Sequence, residues 1–130
     1  MHDFRWPALV TLGAVVLMFV MAANVGRARG RYGIPAPATS GNPDFERVFR
    51  VQMNTLENAM MFLPALWVFA AFISEVWAAG IGVAWLVARV WYAMSYQKAA
   101  ALRGPAFVLS MLCVTVLTLG GAWGIIRSVL

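Results

Sequence analysis

The run from Ala59 to Ile73, AMMFLPALWVFAAFI, contains no charged or amide side chain, and it follows without a break on FERVFRVQMNTLEN, which carries Arg50, Gln52, Asn54 and Glu57. An apolar wall entered through a polar segment predicts a helix that passes from a membrane boundary into hydrocarbon. Composition supports this: hydrophobic residues make up 62% and charged residues 12%. That charged share is about half the share typical of soluble domains, too little to cover a water-facing globule. The chain therefore reads as an all-α membrane protein, a bundle of four transmembrane helices forming a single domain over residues 1–130.

The formal net charge of +5 would in a soluble protein suggest nucleic acid. Here the basic residues sit mainly in loops beside apolar runs, which points to topology and small anions instead, with no nucleic-acid partner. Cys113, the single cysteine, lies inside LSMLCVTVL, can form no intrachain disulfide, and reads as buried packing. The N-terminus imitates a secretory signal, with Arg5, an apolar run, then Ala22 and Ala23. The run is long enough to span, so it is read as a retained first helix.

The expected helices are about 8–26, 44–73, 76–102 and 106–126. Pro7 fits the start of the first, and the Gly- and Pro-rich RARGRYGIPAPATSGNP reads as a loop bearing Arg27, Arg29 and Arg31. In NPDFE, Pro43 suits a first turn, while Asp44 and Glu46 favour the positive end of a helix dipole. Ser74 and Glu75 predict a tight turn, and Gly104 with Pro105 a break. Gly80, Gly82, Gly120, Gly121 and Gly124 read as points of close helix approach. Arg27, Arg29, Arg31, Arg47, Arg50, Lys98 and Arg103 fall at one end of the bundle, whereas Arg5 and Arg127 fall at the other. The positive-inside rule then sets the polar mouth in the cytoplasm and both termini on the opposite side. Trp6, Trp77 and Trp123 read as interfacial or packing residues, and His2 and Tyr32 as ordinary terminal and loop residues.

Helical periodicity gathers the polar residues into two stripes. Arg50, Asn54 and Glu57 fall within a sector of about 60°, with Met53 and Met61 beside them on the same face, and Gln52 lies on the far side of the same helix. Arg89, Tyr92, Tyr96 and Arg103 also share about 60° of the third helix. Ionisable groups at mid-bilayer cost about 2.5–3.5 kcal/mol each on insertion scales, so they must face inward or find partners. A structural Glu57–Arg89 ion pair would be one solution. The whole set, however, also suits a ligand with carboxylates for the arginines, an ammonium for Glu57, and amides for Asn54 and the tyrosines: a short zwitterionic peptide. Arg103, near the membrane boundary, could lie beside a reacting thiol of pKa about 8.5 and hold it as thiolate.

FERVFRVQMNTLEN, with its F-E-R-V start followed by Arg, Gln, Asn and Glu, and GVAWLVARVWYAMSY, with an Arg followed by two tyrosines four apart, resemble the MAPEG family, the membrane-associated proteins in eicosanoid and glutathione metabolism. NTLEN and AWLVARVWYAMSY resemble its microsomal glutathione transferase branch and bacterial relatives. The resemblance implies a homotrimer of four-helix subunits that binds glutathione as co-substrate at each subunit interface. A lipophilic electrophile or lipid hydroperoxide would arrive from membrane lipid.

Carried over by position, Arg50, Asn54, Glu57, Tyr92 and Tyr96 would bind glutathione from one subunit, and Arg29 and Gln52 from the neighbour. Arg103 would stabilise the attacking thiolate. Asn58 stands where the leukotriene synthase branch has tyrosine, and Arg29-Gly30-Arg31 where it has paired arginines, so either Arg29 or Arg31 could take that role. The implied activity is glutathione transfer, with peroxidase activity as a companion. The alternatives are a non-catalytic lipid-binding member and, on a different plan, a small four-helix exporter. No zinc, haem, phosphate-loop or Ser-His-Asp pattern occurs, and no metal is expected.

Overall fold

The computed structural model describes residues 3–130, so His2 lies outside the described residues. Four helices follow in order: α1 (Arg5–Tyr32), α2 (Pro43–Phe72), α3 (Glu75–Lys98) and α4 (Gly104–Val129), with a 3-10 turn, Ala100–Arg103, before α4. Each is long and apolar enough to cross a membrane. At 30 residues α2 is about 45 Å long, more than a hydrocarbon core requires, so its polar N-terminal half either projects beyond the lipid or is covered by other helices.

Local chemistry explains most of the ends. The Asn42 side chain accepts from the backbone amides of Asp44 and Phe45, at 2.9 and 3.1 Å, and Pro43 opens the first turn of α2. Ser74 caps α3 by accepting from the Trp77 amide at 3.3 Å, so the turn between α2 and α3 is very short. Gly33, at φ 65°, closes α1, and the Ile34 amide returns to the Arg29 carbonyl at 3.1 Å.

Two ends differ from the expectation. Arg27, Arg29 and Arg31 are helical, not in a loop, because α1 continues past Gly26 to Tyr32. Val25 and Ala28 are buried there with Ile34 and Phe45, and the arginines sit at the negative end of the helix dipole. Packing and charge together outweigh the weak helix propensity of Gly26 and Gly30. The third helix stops at Lys98, four residues before the expected Leu102, and Ala99 is extended. Pro105 cannot continue a preceding helix, and the chain must reverse to lay α4 alongside α3; Gly104 and Pro105 therefore open α4 instead of forming a separate break.

The central helices α2 and α3 touch each other, and α1 and α4 each pack against both. Phe62, Leu66, Phe69, Trp85 and Leu117 form the main core with Val10 and Ala14. Phe62 stacks on Trp85 with ring centroids 4.0 Å apart and planes 3° from parallel. Cys113 is buried. A Cβ at Gly82 would stand 2.6 Å from Val10, at Gly120 2.4 Å from Phe69, at Gly121 2.9 Å from Val68, and at Gly124 2.8 Å from the Phe72 carbonyl oxygen. Those four are close approaches. Gly80 is not, since a Cβ there meets nothing within 4 Å. Trp6, Trp77 and Trp123 are exposed, on the surface that lipid or another subunit would cover.

Candidate functional site

At the basic end of the bundle, α2, α3 and the start of α4 enclose a cavity of about 470 Å3 lined by Arg50, Asn54, Glu57, Tyr92, Tyr96, Arg103, Gly104 and Phe107. The α2 residues recur every three or four positions and so share one wall. Tyr92 and Tyr96, one turn apart on α3, form the opposite wall with ring centroids 5.6 Å apart. The Phe107 ring from α4 lies 6.5 Å from Tyr92.

Arg103 reaches the cavity from the 3-10 turn. Its Nη1 donates to the Tyr96 hydroxyl at 3.3 Å, and its guanidinium carbon lies 5.3 Å from the centre of the Tyr96 ring. Because Gly104 begins α4, the positive end of that helix dipole also faces the cavity. Two guanidinium groups, a helix N-terminus, two phenols and an amide surround a single carboxylate, Glu57. Such a site favours a ligand with more negative than positive groups, and its donors can hold carboxylates and carbonyls.

Arg89 lies behind this wall, fully buried and off the cavity. Its Nε and Nη2 donate to Thr55 Oγ1 at 3.1 and 2.8 Å, Nη2 to Asn54 Oδ1 at 3.0 Å, and Nη1 to Ser110 Oγ at 3.3 Å. These neutral acceptors replace the Glu57 partner that the sequence allowed for; among the described residues no Glu57–Arg89 ion pair forms. Glu57 instead lines the cavity and is exposed in the single subunit.

The residues expected from a neighbouring subunit stand apart. Gln52 is half-buried and absent from the cavity wall. Arg29 is engaged with its own chain: Nη1 donates to the Ala38 carbonyl at 2.7 Å, and the guanidinium lies 5.1 Å from the Phe45 ring centre. Arg31 is exposed, 5.5 Å from the Tyr32 ring centre. Asn58 turns into the core, where its oxygen accepts from Trp85 Nε1 at 2.6 Å.

Sequence reasoning missed Gly104 and Phe107 as wall residues. Phe107 lies four residues beyond Arg103, one helical turn along, but it looks like any lipid-facing aromatic until the turn before α4 is known. Among the described residues, no group of three His, Cys, Asp or Glu side chains is placed to hold a metal.

The profile of the MAPEG family matches residues 7–123. The chain belongs to this family. Among relatives of this MAPEG chain, an uncharacterized protein of Synechocystis is 48% identical over 95% of the chain and 90% of its own length. Microsomal glutathione S-transferase 2 of Homo sapiens is 37% identical over 95% of the chain and 84% of its own length. Leukotriene C4 synthase of Mus musculus is 38% identical over 92% of the chain and 79% of its own length. With the family and four helices fit to cross a bilayer, this MAPEG protein is an integral, multi-pass membrane protein.

Proposed function

We propose that this protein is a membrane-bound glutathione S-transferase that joins the thiolate of glutathione to lipophilic electrophiles. The observation that carries the reading is the convergence of Arg50, Asn54, Glu57, Tyr92, Tyr96 and Arg103 on one cavity. Its charge balance matches glutathione, which has two carboxylates and one ammonium. The glutathione-using relatives, the transferase and the leukotriene synthase, support the same chemistry.

Arg50 and Asn54 supply donors to the carboxylate and carbonyl oxygens, and Glu57 accepts from the ammonium. Tyr92 and Tyr96 line the side toward α4. Arg103 sits at the rim and stabilises the thiolate; a neighbouring guanidinium that draws a thiol from about 8.5 to about 6.5 makes it mostly ionised at neutral pH. The sulfur forms the new bond to the electrophilic carbon, and the leaving group departs with its electron pair. With a lipid hydroperoxide, the same thiolate attacks oxygen; a second glutathione completes the reduction to alcohol, water and glutathione disulfide.

The site also calls for a second subunit. Arg50 and Glu57 are exposed in the single chain although they stand on a membrane-spanning helix, where an uncovered charge is costly. A homotrimer that lays α1 and α2 of one subunit over the cavity of the next would cover them. It would bring in Gln52 and one first-helix arginine, either Arg29 after release from Ala38 or the exposed Arg31. The positive-inside count sets this mouth on the cytoplasmic side.

In detergent, glutathione added to the wild-type protein should produce ultraviolet thiolate absorbance, and Arg103→Leu should abolish it together with conjugation of a chlorinated aromatic electrophile. An undiminished signal in the variant would remove Arg103 from its role. Absence of signal and conjugation in the wild type would sink the transferase reading and leave a lipid-binding member.

A further inference from the structure

Arg89 is a buried charged residue that the proposed chemistry does not use. It is 0% exposed, stands off the cavity, and is surrounded by neutral hydroxyl and amide groups. An arginine offers N–H donors and no acceptor. The Asn54 atom that faces it at 3.0 Å must therefore be the carbonyl oxygen. Asparagine can usually present either end of its amide to a ligand; here one end is committed, and the NH2 group is the end left for the cavity that Asn54 lines.

The rest of the cluster keeps the guanidinium from turning. Thr55 Oγ1 accepts from both Nε and Nη2. Ser110 Oγ accepts from Nη1 and passes its own hydrogen to the Ala106 carbonyl at 2.9 Å, so it is committed as well. The Tyr92 ring centre lies 4.1 Å from the guanidinium carbon, which ties a second cavity residue to the same group. Three helices, α2, α3 and α4, thus meet on one side chain.

We infer that Arg89 is a positioning residue that fixes Asn54 as a hydrogen-bond donor, so that this part of the wall selects a ligand oxygen, carboxylate or carbonyl, over a ligand N–H. The inference rests on the glutathione reading for the identity of the ligand, and on the Arg89–Asn54 contact alone for the orientation.

Asn54→Asp is the discriminating variant. It is nearly isosteric, keeps an oxygen toward Arg89, and turns the cavity end from donor to acceptor. Thiolate-absorbance titration should give glutathione affinity weaker by about tenfold or more, with an unfolding midpoint no lower than wild type because Arg89 gains a charged partner. Arg89→Lys, still donor-only, should keep most of the affinity. Arg89→Gln, which can donate or accept and so releases the amide, should raise KM for glutathione more than it lowers kcat.

Wild-type affinity in Asn54→Asp, or equal KM values in the two Arg89 variants, would overturn the inference while leaving the transferase intact. Failure of the wild type to bind glutathione would instead count against the transferase reading. In either case a lower unfolding midpoint in Asn54→Asp would overturn the contact itself.

Discussion

A single residue step separates cavity wall from core on α2. Glu57 lines the cavity, whereas Asn58, about 100° around the helix, turns inward and accepts the Trp85 indole hydrogen at 2.6 Å. Asn58→Leu should therefore act on stability. Leaving the buried indole N–H unpaired costs about 1–3 kcal/mol, read as a fall in thermal unfolding midpoint, and glutathione affinity should stay within about twofold, under half a kcal/mol. A large loss of affinity with unchanged stability would contradict this placement. The contrast also marks what spacing can convey. Arg50, Asn54 and Glu57 were legible as one stripe because their charges must avoid lipid and their intervals fix a direction. Asn58 is equally polar, but its partner is an indole 27 positions away in sequence, which no local pattern encodes. Arg89 was legible as buried and not as to its partners, since Thr55 looks like one more polar residue of its segment and Ser110 like an ordinary small residue in an apolar run.

The helices themselves were legible where composition decides them, and less so where tertiary contacts do. Four apolar runs fix four helices. The extension of α1 through Arg31 depends on burial of Val25 and Ala28 against Phe45, and the stop at Lys98 on the reversal into α4; neither is visible in local propensity, for Ala99, Ala100, Ala101 and Leu102 all favour helix. Glycine roles can be separated at this scale. Gly124→Ala would drive a methyl to 2.8 Å from the Phe72 backbone oxygen and force α2 and α4 apart, whereas Gly80→Ala meets open space. The first should destabilise by about 1–3 kcal/mol, and the second should be neutral or stabilising by up to about 1 kcal/mol. Thermal unfolding of the two variants in one detergent tests the pair; equal midpoints would show that the α2–α4 contact is not tight.

Across the whole molecule, basic residues gather where α1 ends and α2 begins, and where α3 gives way to α4. The cavity lies at that end, so the orientation in the membrane decides which side it faces. Cys113 is the single cysteine and is buried, which leaves a clean background for labelling. Thr39→Cys, in the exposed loop after α1, should react with an impermeant maleimide only from the cytoplasmic side, and Ser128→Cys, near the end of α4, only from the other. The reverse pattern would place the cavity outside.

At the far end, the short Ser74-capped turn joins the two central helices. Arg50 lies about 36 Å from it along α2, so each degree of splay between these arms would move that side chain by about 0.6 Å. A change in the angle between the two arms would thus widen the cavity most at its mouth, and the clamp that Arg89 places across both arms, about 22 Å from the turn, opposes it partway along.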